Sequence, residues 1–385
     1  MHRAWAINGR FLTQSVTGVQ RYAREIVRAI DGLMGDGHVL AQGLHLELLF
    51  PFSYQGPLPE LRHIQVRPVG RSQGHLWEQL VLPRHARGGL LNLCNTGPLL
   101  HRKQVVCIHD LTPILCPRSY SFRFRAAYSL LLPLLGRVAA STSTVSEFSA
   151  RLLVRHGIIG DRIPMVIPNG HEHVFEWEPP SLSSPDRAAG PNTILILGSL
   201  VPHKNISIVL KLAPKLAAIG LNIAVVGGRD SRVFSQFSTD AGGHQNILWL
   251  GRLSDDELAA SLQRCLCLAF PSVMEGFGLP PLEAMALGCP VVVSTCASLP
   301  EVCGDAALYA SAAEPDEWMD CFISLRDQPL LRQELISKGK ARAATFRWRR
   351  SAELYLEALA RLDGLDVPAG GRDSSAVRMS LAAMG

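Results

Sequence analysis

Short apolar runs alternate with longer helix-like stretches along almost the whole chain, and the alternation occurs in two rounds. The first half contains AWAIN, HLELLF, IQVRPV, LLNLC and QVVCIHD, and the second half contains TILILGS, NIAVVGG, NILWLG, CLCLAFPS and PVVVST. Runs of this kind predict parallel strands wrapped by helices. A chain of 385 residues suits two domains of ordinary size. We therefore predict an α/β protein with two doubly wound, Rossmann-like domains that face a central cleft.

A stretch rich in Pro, Ser and Gly separates the two rounds. Residues 168–192 show no periodicity, as is typical of a linker. We predict an N-terminal domain over residues 1–185 and a C-terminal domain over residues 186–367 that ends in helices. Residues 368–385 have too few large apolar side chains to pack and are predicted to form a disordered tail. Ligands of doubly wound sheets bind at the carboxyl ends of the strands, so functional residues are expected in the loops that follow strands.

Charge and cysteine usage exclude several classes of protein. The formal charge of +5 is mild, which argues against a dedicated nucleic-acid binder but permits contact with an anionic surface or a phosphorylated substrate. The nine cysteines form no C-x-x-C pair, and several lie in apolar runs, as thiols do in a reducing cytoplasm. The beginning of the chain lacks a signal-peptide pattern, and Pro133 and Arg137 interrupt the most lipid-like stretch. We predict a cytoplasmic protein without a metal site.

The stretch MEGFGLPPLEAMALGCPVVVS, residues 274–294, combines two glutamates with a glycine-rich loop. It follows the strand-like run CLCLAFPS, and two prolines begin a helix behind the glycines. The glycines allow backbone amides to approach a ligand, and the helix N-terminus favours negative charge. Glu275 and Glu283 can both accept hydrogen bonds from hydroxyls, which suits a nucleotide sugar. The alternative is an ordinary turn followed by a solvated helix glutamate.

A second stretch, ILILGSLVPHKNISIVLKL (194–212), predicts a strand, a glycine turn at Gly198 and a helix that begins near Lys204 and Asn205. A lysine at the start of a helix after the first strand of a doubly wound domain is well placed to bind a diphosphate. The alternative is a solvated surface lysine.

Together these stretches resemble the family-4 retaining glycosyltransferases, which have the two-domain GT-B fold. The two glutamates that this family separates by seven residues match Glu275 and Glu283, and the lysine of its G-x-L-x-P-x-K-N segment matches Lys204. The resemblance continues in GVQRYAREIVRAI, CNTGPL, VVCIHDLTPILCPRSYS, STVSEFSARLLVRHG and IPNGHE, and it reaches about residue 362. The CNTGPL and IHDLTP forms are most similar to bacterial mannosyltransferases that build O-antigen and related polysaccharides.

The resemblance implies how the C-terminal half binds the donor. Lys204 would neutralise the diphosphate, and Glu275 would hold the sugar hydroxyls together with the amides of Phe277 and Gly278. Glu283 would bind the ribose of the nucleotide.

For the N-terminal half, the resemblance implies that His109 lies beside the reacting sugar and that Gly18 and Val19 bring the first helix toward the phosphates. A lone histidine at a strand end is also compatible with a structural role. Asp110 is expected to cap a helix or to support the neighbouring residues. The predicted catalytic residues are His109, Lys204 and Glu275, and the predicted donor-binding residues are Gly18, Val19, Gly198, Ser199, Lys204, Asn205, Gly276, Phe277, Gly278, Leu279 and Glu283.

The sequence departs from the family pattern at the diphosphate site. The family commonly has Arg where this chain has Ser199, and the most similar subgroup often has another Arg where this chain has His203. The site would then carry less fixed charge unless Arg229, Arg252 or main-chain groups compensate. A catalytically weak subunit that binds without turnover therefore stays an alternative.

The resemblance also implies the chemistry. The chain has no Asp-x-Asp that would hold a metal, so Lys204 and helix N-termini are expected to stabilise the leaving diphosphate without a cofactor. Retention without an evident covalent nucleophile resembles a front-side route in which a donor phosphate oxygen takes the proton of the acceptor.

The acceptor side is indicated by residues 118–137, which mix arginines with aromatic residues and leucines. Such a helix suits peripheral contact with an anionic membrane and a lipid-linked glycan, whereas the alternative is a core helix with solvated arginines. We predict a hexosyltransferase that moves mannose from GDP-mannose to a lipid-linked or polysaccharide acceptor. Rhamnose or glucose donors are the alternatives within the same fold, and a nucleotide-sugar epimerase is disfavoured by the family pattern.

Overall fold

The computed structural model describes residues 3–179, 189–198, 201–227 and 245–367. Over these residues the chain divides into two compact units. The first unit comprises residues 3–115, 121–170 and 347–367, and the second comprises residues 116–120 and 171–346. Each unit contains one sheet whose strands are all parallel, which confirms the predicted α/β class with two Rossmann-like halves.

The first unit is built on a seven-stranded sheet in the order β3-β2-β1-β4-β5-β6-β7. Apolar side chains of the β1 run, such as Trp5 and Ile7, are fully buried, as expected for strands covered on both faces. Its strands are β1 (Arg3–Asn8), β2 (Leu44–Phe50), β3 (Gln65–Pro68), β4 (Gly89–Asn92), β5 (Gln104–Cys107), β6 (Ser141–Thr144) and β7 (Met165–Val166).

Helices cover this sheet, and the longest of them are amphipathic. Helix α1 begins after Thr17, whose amide donates to Gln20 Oε1 at 3.2 Å in a capping box, and it buries Tyr22, Ile26 and Ile30. The helices of the first unit are α1 (Gly18–Gly35), α2 (Gly74–Leu76), α3 (Leu82–His85), α4 (Thr112–Leu115), α5 (Phe122–Val138), α6 (Glu147–Arg155) and, from the end of the described chain, α14 (Trp348–Leu362).

The second unit is built on a six-stranded sheet in the order β10-β9-β8-β11-β12-β13. Its strands are β8 (Thr193–Leu197), β9 (Asn222–Val226), β10 (Ile247–Gly251), β11 (Cys267–Phe270), β12 (Val291–Ser294) and β13 (Leu308–Ala310). Numbered over the described residues, its helices are α7 (Ser207–Leu210), α8 (Ala213–Ala218), α9 (Asp255–Arg264), α10 (Leu279–Ala286), α11 (Leu299–Cys303), α12 (Pro315–Asp327) and α13 (Pro329–Ala343).

The division into units differs from the predicted domains in two places. It falls between Gly170 and His171 rather than near residue 185, because residues 172–176 form a packed 3-10 turn rather than a bare linker. Helix α14 belongs to the first unit rather than to the C-terminal domain, because the Tyr355 hydroxyl lies 2.9 Å from the hydroxyls of Tyr22 and Ser143. The predicted tail over residues 368–385 lies outside the described residues.

The strand order creates a topological switch point in each sheet. In the first sheet β1 has β2 on one side and β4 on the other, and in the second sheet β8 has β9 on one side and β11 on the other. Connections leave such a pair in opposite directions, so a crevice opens at the carboxyl ends of the two strands. The loops after β8 and β11 are therefore the expected location of a ligand site in the second unit.

Candidate active site

Lys204 and Glu275 meet at the switch point of the second sheet. Lys204 ends a 3-10 turn, Pro202–Lys204, that follows β8, and Glu275 lies in the loop that follows β11. Lys204 Nζ lies 2.6 Å from Glu275 Oε1 although the residues are 71 positions apart. The structure thus brings together two of the predicted catalytic residues, because their strands are neighbours in the sheet.

The ion pair is partly withdrawn from water but reachable from it. The exposed fractions of the Lys204 and Glu275 side chains are 22% and 14%. The Lys204 ammonium lies 5.3 Å from the centroid of the Phe270 ring. The aliphatic part of the Lys204 side chain passes close to Gly198, where a Cβ would lie 3.6 Å from it. Interactions between charges strengthen as water is excluded, so a diphosphate at this ammonium would be bound more strongly than on an open surface.

The residue before the lysine anchors its loop from two sides. His203 Nδ1 lies 2.9 Å from Ser119 Oγ, and its ring stacks on Tyr120 with an interplanar angle of 8°. The His203 carbonyl accepts a hydrogen bond from the Val273 amide at 2.8 Å, which ties the loop after β8 to the loop after β11. The sequence analysis missed Ser119 and Tyr120, because nothing in their pattern relates them to a loop so distant along the chain.

Asn205 shapes the same loop from within. It adopts a left-handed conformation with φ of 51°, and its Nδ2 donates to the Ala312 carbonyl at 2.8 Å. Helix α7 begins at Ser207, so Lys204 and Asn205 lie in the turn that leads into the helix and not in the helix itself. Among the residues named for the diphosphate, Ser199 and Arg229 lie outside the described residues.

Arg252, another possible source of compensating charge, is exposed.

Gly198 directly follows β8, and its amide donates to the Val226 carbonyl at the end of β9 at 3.0 Å. The carboxyl ends of these two strands are therefore joined beside the loop that carries Lys204.

The loop that carries Glu275, the glutamate loop, is held by Ser298, the residue directly before α11. The Ser298 hydroxyl lies 3.0 Å from the Glu275 carbonyl oxygen and 2.7 Å from that of Phe277. Gly278 has φ of 109°, and a Cβ at this position would lie 2.9 Å from Leu299 Cδ2. Glycine is required here because an L side chain would be strained in conformation and would collide with Leu299.

Helix α10 begins directly behind this loop. Leu279 is its first residue, and Pro280 and Pro281 occupy its first turn, as predicted. Pro280 and Pro281 have no N–H, so this first turn offers an anion the Leu279 amide and the positive end of the helix dipole. The predicted donor-binding residues Gly276, Phe277, Gly278 and Leu279 therefore all lie at one junction between loop and helix.

Glu283 has a partner that the sequence analysis did not find. It is the fifth residue of α10, little more than one turn into the helix, and it is 6% exposed. Its Oε1 lies 2.9 Å from His173 Nε2, and the edge of the His173 ring meets Trp177. His173 lies in the stretch predicted to be a linker, which is why its role was missed.

In the first unit, His109 follows β5 and is clamped by the loop after β4. Its Nε2 lies 2.8 Å from the Leu93 carbonyl, and its amide donates to Asn95 Oδ1 at 2.7 Å. The Tyr22 ring of α1 meets the His109 ring edge-on, with centroids 4.8 Å apart. Burial disfavours the charged imidazole, but Cys107 and the Leu93 carbonyl outweigh this effect and raise the pKa of His109.

The remaining predicted residues of the first unit lie at helix starts. Gly18 and Val19 open α1, and Gly18 is exposed, with open space where a Cβ would stand. Asp110 Oδ1 accepts from the amide of Thr112, the first residue of α4, at 2.8 Å, which fits its predicted role as a helix-cap or support residue. Whether His109, Gly18 and Val19 act on a donor stays a prediction.

Over the described ranges 3–179, 189–198, 201–227 and 245–367, no group of three or more His, Cys, Asp or Glu residues is arranged to hold a metal ion. Within the same ranges no helix has both the length and the apolar character needed to cross a membrane.

The sequence matches known proteins along much of its length. Residues 182–342 match the family model described as glycosyl transferases group 1. The O-antigen chain mannosyltransferase RfbU of Salmonella typhimurium is 27% identical over 239 residues, which cover 61% of this chain and 64% of RfbU. The serotype-specific mannosyltransferase WbdA of Escherichia coli is 30% identical over 275 residues, which cover 67% of this chain and 34% of WbdA. The chain therefore spans less than two thirds of the length of either relative.

A solved structure shows the same fold at low sequence identity. The structure of HepE from Anabaena in complex with UDP and glucose matches with a TM-score of 0.65 at 18% identity, over 94% of this chain and 100% of HepE. With the match to the group 1 family model, this likeness confirms the predicted GT-B fold class.

Proposed function

Because residues 182–342 match the family model of glycosyl transferases group 1, we propose that the chain is a retaining glycosyltransferase. Its reaction transfers a hexose, mannose from GDP-mannose, to a lipid-linked or polysaccharide acceptor during synthesis of a cell-surface glycan. Both relatives named above are mannosyltransferases, and RfbU is one that acts on the O-antigen chain, which supports this substrate class.

The ion pair of Lys204 and Glu275 at the switch point of the second sheet is the observation that carries the proposal. In the described state each side chain satisfies the other. A nucleotide sugar brings a diphosphate, which binds the lysine, and sugar hydroxyls, which donate to the carboxylate. The pair thus matches both chemical parts of the donor and is separated when the donor binds.

The chemistry requires stabilisation of the departing diphosphate. Lys204 supplies a fixed positive charge, and the first turn of α10 supplies amide dipoles beside the Glu275 loop. Because the bound donor already engages these groups in the ground state, little further reorganisation is needed as negative charge develops on the leaving group. The acceptor hydroxyl attacks from the face of the leaving diphosphate and loses its proton to a phosphate oxygen, which retains the anomeric configuration.

Helix α5 is the proposed contact with the acceptor membrane, on the cytoplasmic face of the inner membrane. Phe122 is 78% exposed and Leu130 is 67% exposed, and Arg123 and Arg137 of the same helix are exposed. The sequence contains no acidic residue between Asp110 and Glu147. Exposed aromatic and aliphatic side chains next to exposed arginines suit an anionic lipid surface.

A donor screen tests the proposed activity. The purified chain is incubated with GDP-mannose, UDP-glucose and dTDP-rhamnose, binding is measured by thermal shift and calorimetry, and donor hydrolysis is then followed. We expect GDP-mannose to bind most tightly and to be hydrolysed slowly without acceptor. Tighter binding of another donor would replace mannose within the same proposal, whereas failure to bind any nucleotide sugar would overturn it.

Vesicle sedimentation tests the proposed membrane contact. We expect the chain to sediment with vesicles that contain an anionic lipid and to remain in solution with zwitterionic vesicles. The double variant Phe122→Ser with Leu130→Ser should lose this binding and keep its affinity for GDP. Leu330→Ser is the matched control, because Leu330 is 80% exposed but lies in the second unit. Equal sedimentation of all three proteins would contradict the contact.

A further inference from the structure

We propose that His173 is a positioning residue that sets the recognition of the nucleotide ribose through Glu283. The inference rests on the proposed function, since it concerns how a nucleotide is held in the second unit. It assigns a specificity role to a residue in a stretch whose sequence is typical of a linker. The bond between His173 Nε2 and Glu283 Oε1, at 2.9 Å, is its starting point.

The pair is withdrawn from water. The exposed fractions of the His173 and Glu283 side chains are 1% and 8%. In a buried site a hydrogen bond is strong and an unsatisfied carboxylate is costly, so the imidazole N–H contributes directly to holding the carboxylate in place. Because Glu283 Oε1 accepts the hydrogen bond from His173, the carboxylate is oriented so that Oε2 can accept a hydrogen bond from a ligand hydroxyl.

The histidine itself is rigidly supported. It lies in the 3-10 turn Glu172–Glu176, and its ring centroid is 5.5 Å from that of Trp177 in an edge-to-face arrangement. At the start of the turn, His171 Nδ1 lies 2.7 Å from the Phe346 carbonyl. The Phe346 ring in turn meets Phe277 of the glutamate loop edge-on, with centroids 5.5 Å apart. The turn is therefore packed against the same loop and helix that carry the candidate site.

This arrangement predicts selectivity for nucleotides that carry ribose hydroxyls. A site that is built to accept a hydrogen bond from a hydroxyl rejects an analogue that lacks it, because the buried acceptor is then left without a donor. Orientation by His173 makes the rejection strong, since a carboxylate free to rotate would find another partner. Removal of the His173 donor should therefore reduce the discrimination more than it reduces the overall affinity for a diphosphate.

The test uses calorimetry with GDP and UDP, each paired with its 2′,3′-dideoxy analogue. We expect the wild-type chain to bind the ribonucleotide about tenfold more tightly than the analogue, the size typical of a hydrogen bond to a charged group. In His173→Asn the amide nitrogen corresponds to Nδ1 and does not reach Glu283, so the ratio should fall to about one to threefold. In His173→Gln the amide nitrogen corresponds to Nε2, so most of the ratio should return.

His171→Gln is the matched control, because His171 anchors the same turn without contacting Glu283. A purely structural role for the turn would make His171→Gln and His173→Asn alike in the ratio, which would overturn the inference. An unchanged ratio in His173→Asn would also overturn it while leaving the proposed function intact. If neither ribonucleotide bound the wild-type chain, the proposed function and this inference would fail together.

Discussion

The two units put charged side chains at the same edge of the same kind of sheet, yet they treat those charges differently. In the second unit Lys204 and Glu275 form an ion pair with exposed fractions of 22% and 14%. In the first unit Arg10 follows β1 and pairs with Glu78 at 3.0 Å, and the exposed fractions are 8% and 1%. The first pair can be reached by a ligand, and the second is closed to one.

The closed pair belongs to a hydrogen-bond network that spans several loops of the first unit. The Arg10 guanidinium also donates to Thr96 Oγ1 at 2.7 Å, and Asn8 Nδ2 donates to Glu78 Oε1 at 2.8 Å and to Asn92 Oδ1 at 2.9 Å. Such a network rigidifies a site only while every member is satisfied. The network fixes the loop after β4 that clamps His109, so the charges of the first unit hold a scaffold. The charges of the second unit are those that we propose to exchange with a substrate.

Removal of the Glu78 carboxylate should have the largest effect, and the quantity it lowers is the free energy of unfolding. Glu78→Ala leaves Arg10 buried without its counter-charge, and loss of one partner of a buried pair costs about 3–5 kcal/mol in the free energy of unfolding. Urea denaturation followed by circular dichroism measures the loss. Glu47→Ala is the matched control, because the Glu47–Arg67 pair is 28% and 34% exposed and pairs of this kind contribute about 0–1 kcal/mol. Similar losses in both variants would show that the buried network contributes no more to stability than the part-exposed Glu47–Arg67 pair.

Lys204→Ala should have the opposite signature, with catalysis lost and stability kept. The substitution removes the fixed charge beside the leaving diphosphate, and loss of a group of this type costs about 2.7–4 kcal/mol in the transition state. A transfer assay with the best donor of the screen measures the fall in rate, and thermal unfolding checks the fold. Lys215→Ala is the control, because Lys215 of the same unit pairs with Asp316 on the surface, with exposed fractions of 62% and 81%. A Lys204→Ala enzyme with the rate of the control would remove Lys204 from the mechanism.

The same contrast explains what could be predicted of the fold. Strands β8, β9, β11 and β12 consist mainly of apolar residues, with at most one polar residue at an end, so their apolar character reveals them. Strand β6, Ser141–Thr144, consists only of Ser and Thr and escaped prediction, although it pairs with both β5 and β7. Its burial is made possible by hydrogen bonds such as that between Ser143 and Tyr355, a partner 212 residues away. Polar strands that are satisfied by distant partners leave no local signal.

Prediction of the site divides along a similar line. Lys204 and Glu275 each follow a recognisable strand, and the rule that parallel strands present their carboxyl ends together brings them to one edge. His173 lies in a stretch without periodicity, and its partner Glu283 is 110 residues away. Ser119 and Tyr120 contact His203 from 84 and 83 positions earlier in the sequence, and they belong to no sequence motif that would indicate this contact. The two residues of the ion pair were predictable from local motifs, and the residues that contact the site from distant parts of the sequence were not.

The pH dependence of stability sharpens the comparison at the first unit. Burial alone would raise the pKa of Glu78, but hydrogen bonds from His75 and Asn8 and the charge of Arg10 outweigh it and hold the pKa below its ordinary value. A depressed folded-state pKa contributes stability above the unfolded pKa of about 4.3, and this contribution is lost as the pH falls through the folded value. The difference in unfolding free energy between the wild type and Glu78→Gln should therefore shrink between pH 6 and pH 3. Denaturation curves at four pH values measure it, and a constant difference would contradict the electrostatic account.

The smallest expected effect is that of metal removal on transfer. A diphosphate leaving group needs compensating positive charge, which in the proposed function comes from Lys204 at the switch point and from the helix start of α10. Mg²⁺ binds through carboxylates and phosphate oxygens, but Glu275 Oε1 already lies against Lys204 and Glu283 Oε1 against His173. An assay in excess EDTA should retain most of its rate, with any stimulation by Mg²⁺ modest and traceable to product release. Complete loss in EDTA that Mn²⁺ or Mg²⁺ restores would mean that Lys204 does not balance the charge of the leaving group. A metal ion would then take this role beside the Lys204–Glu275 pair, and the comparison with the Arg10–Glu78 pair would have to include it.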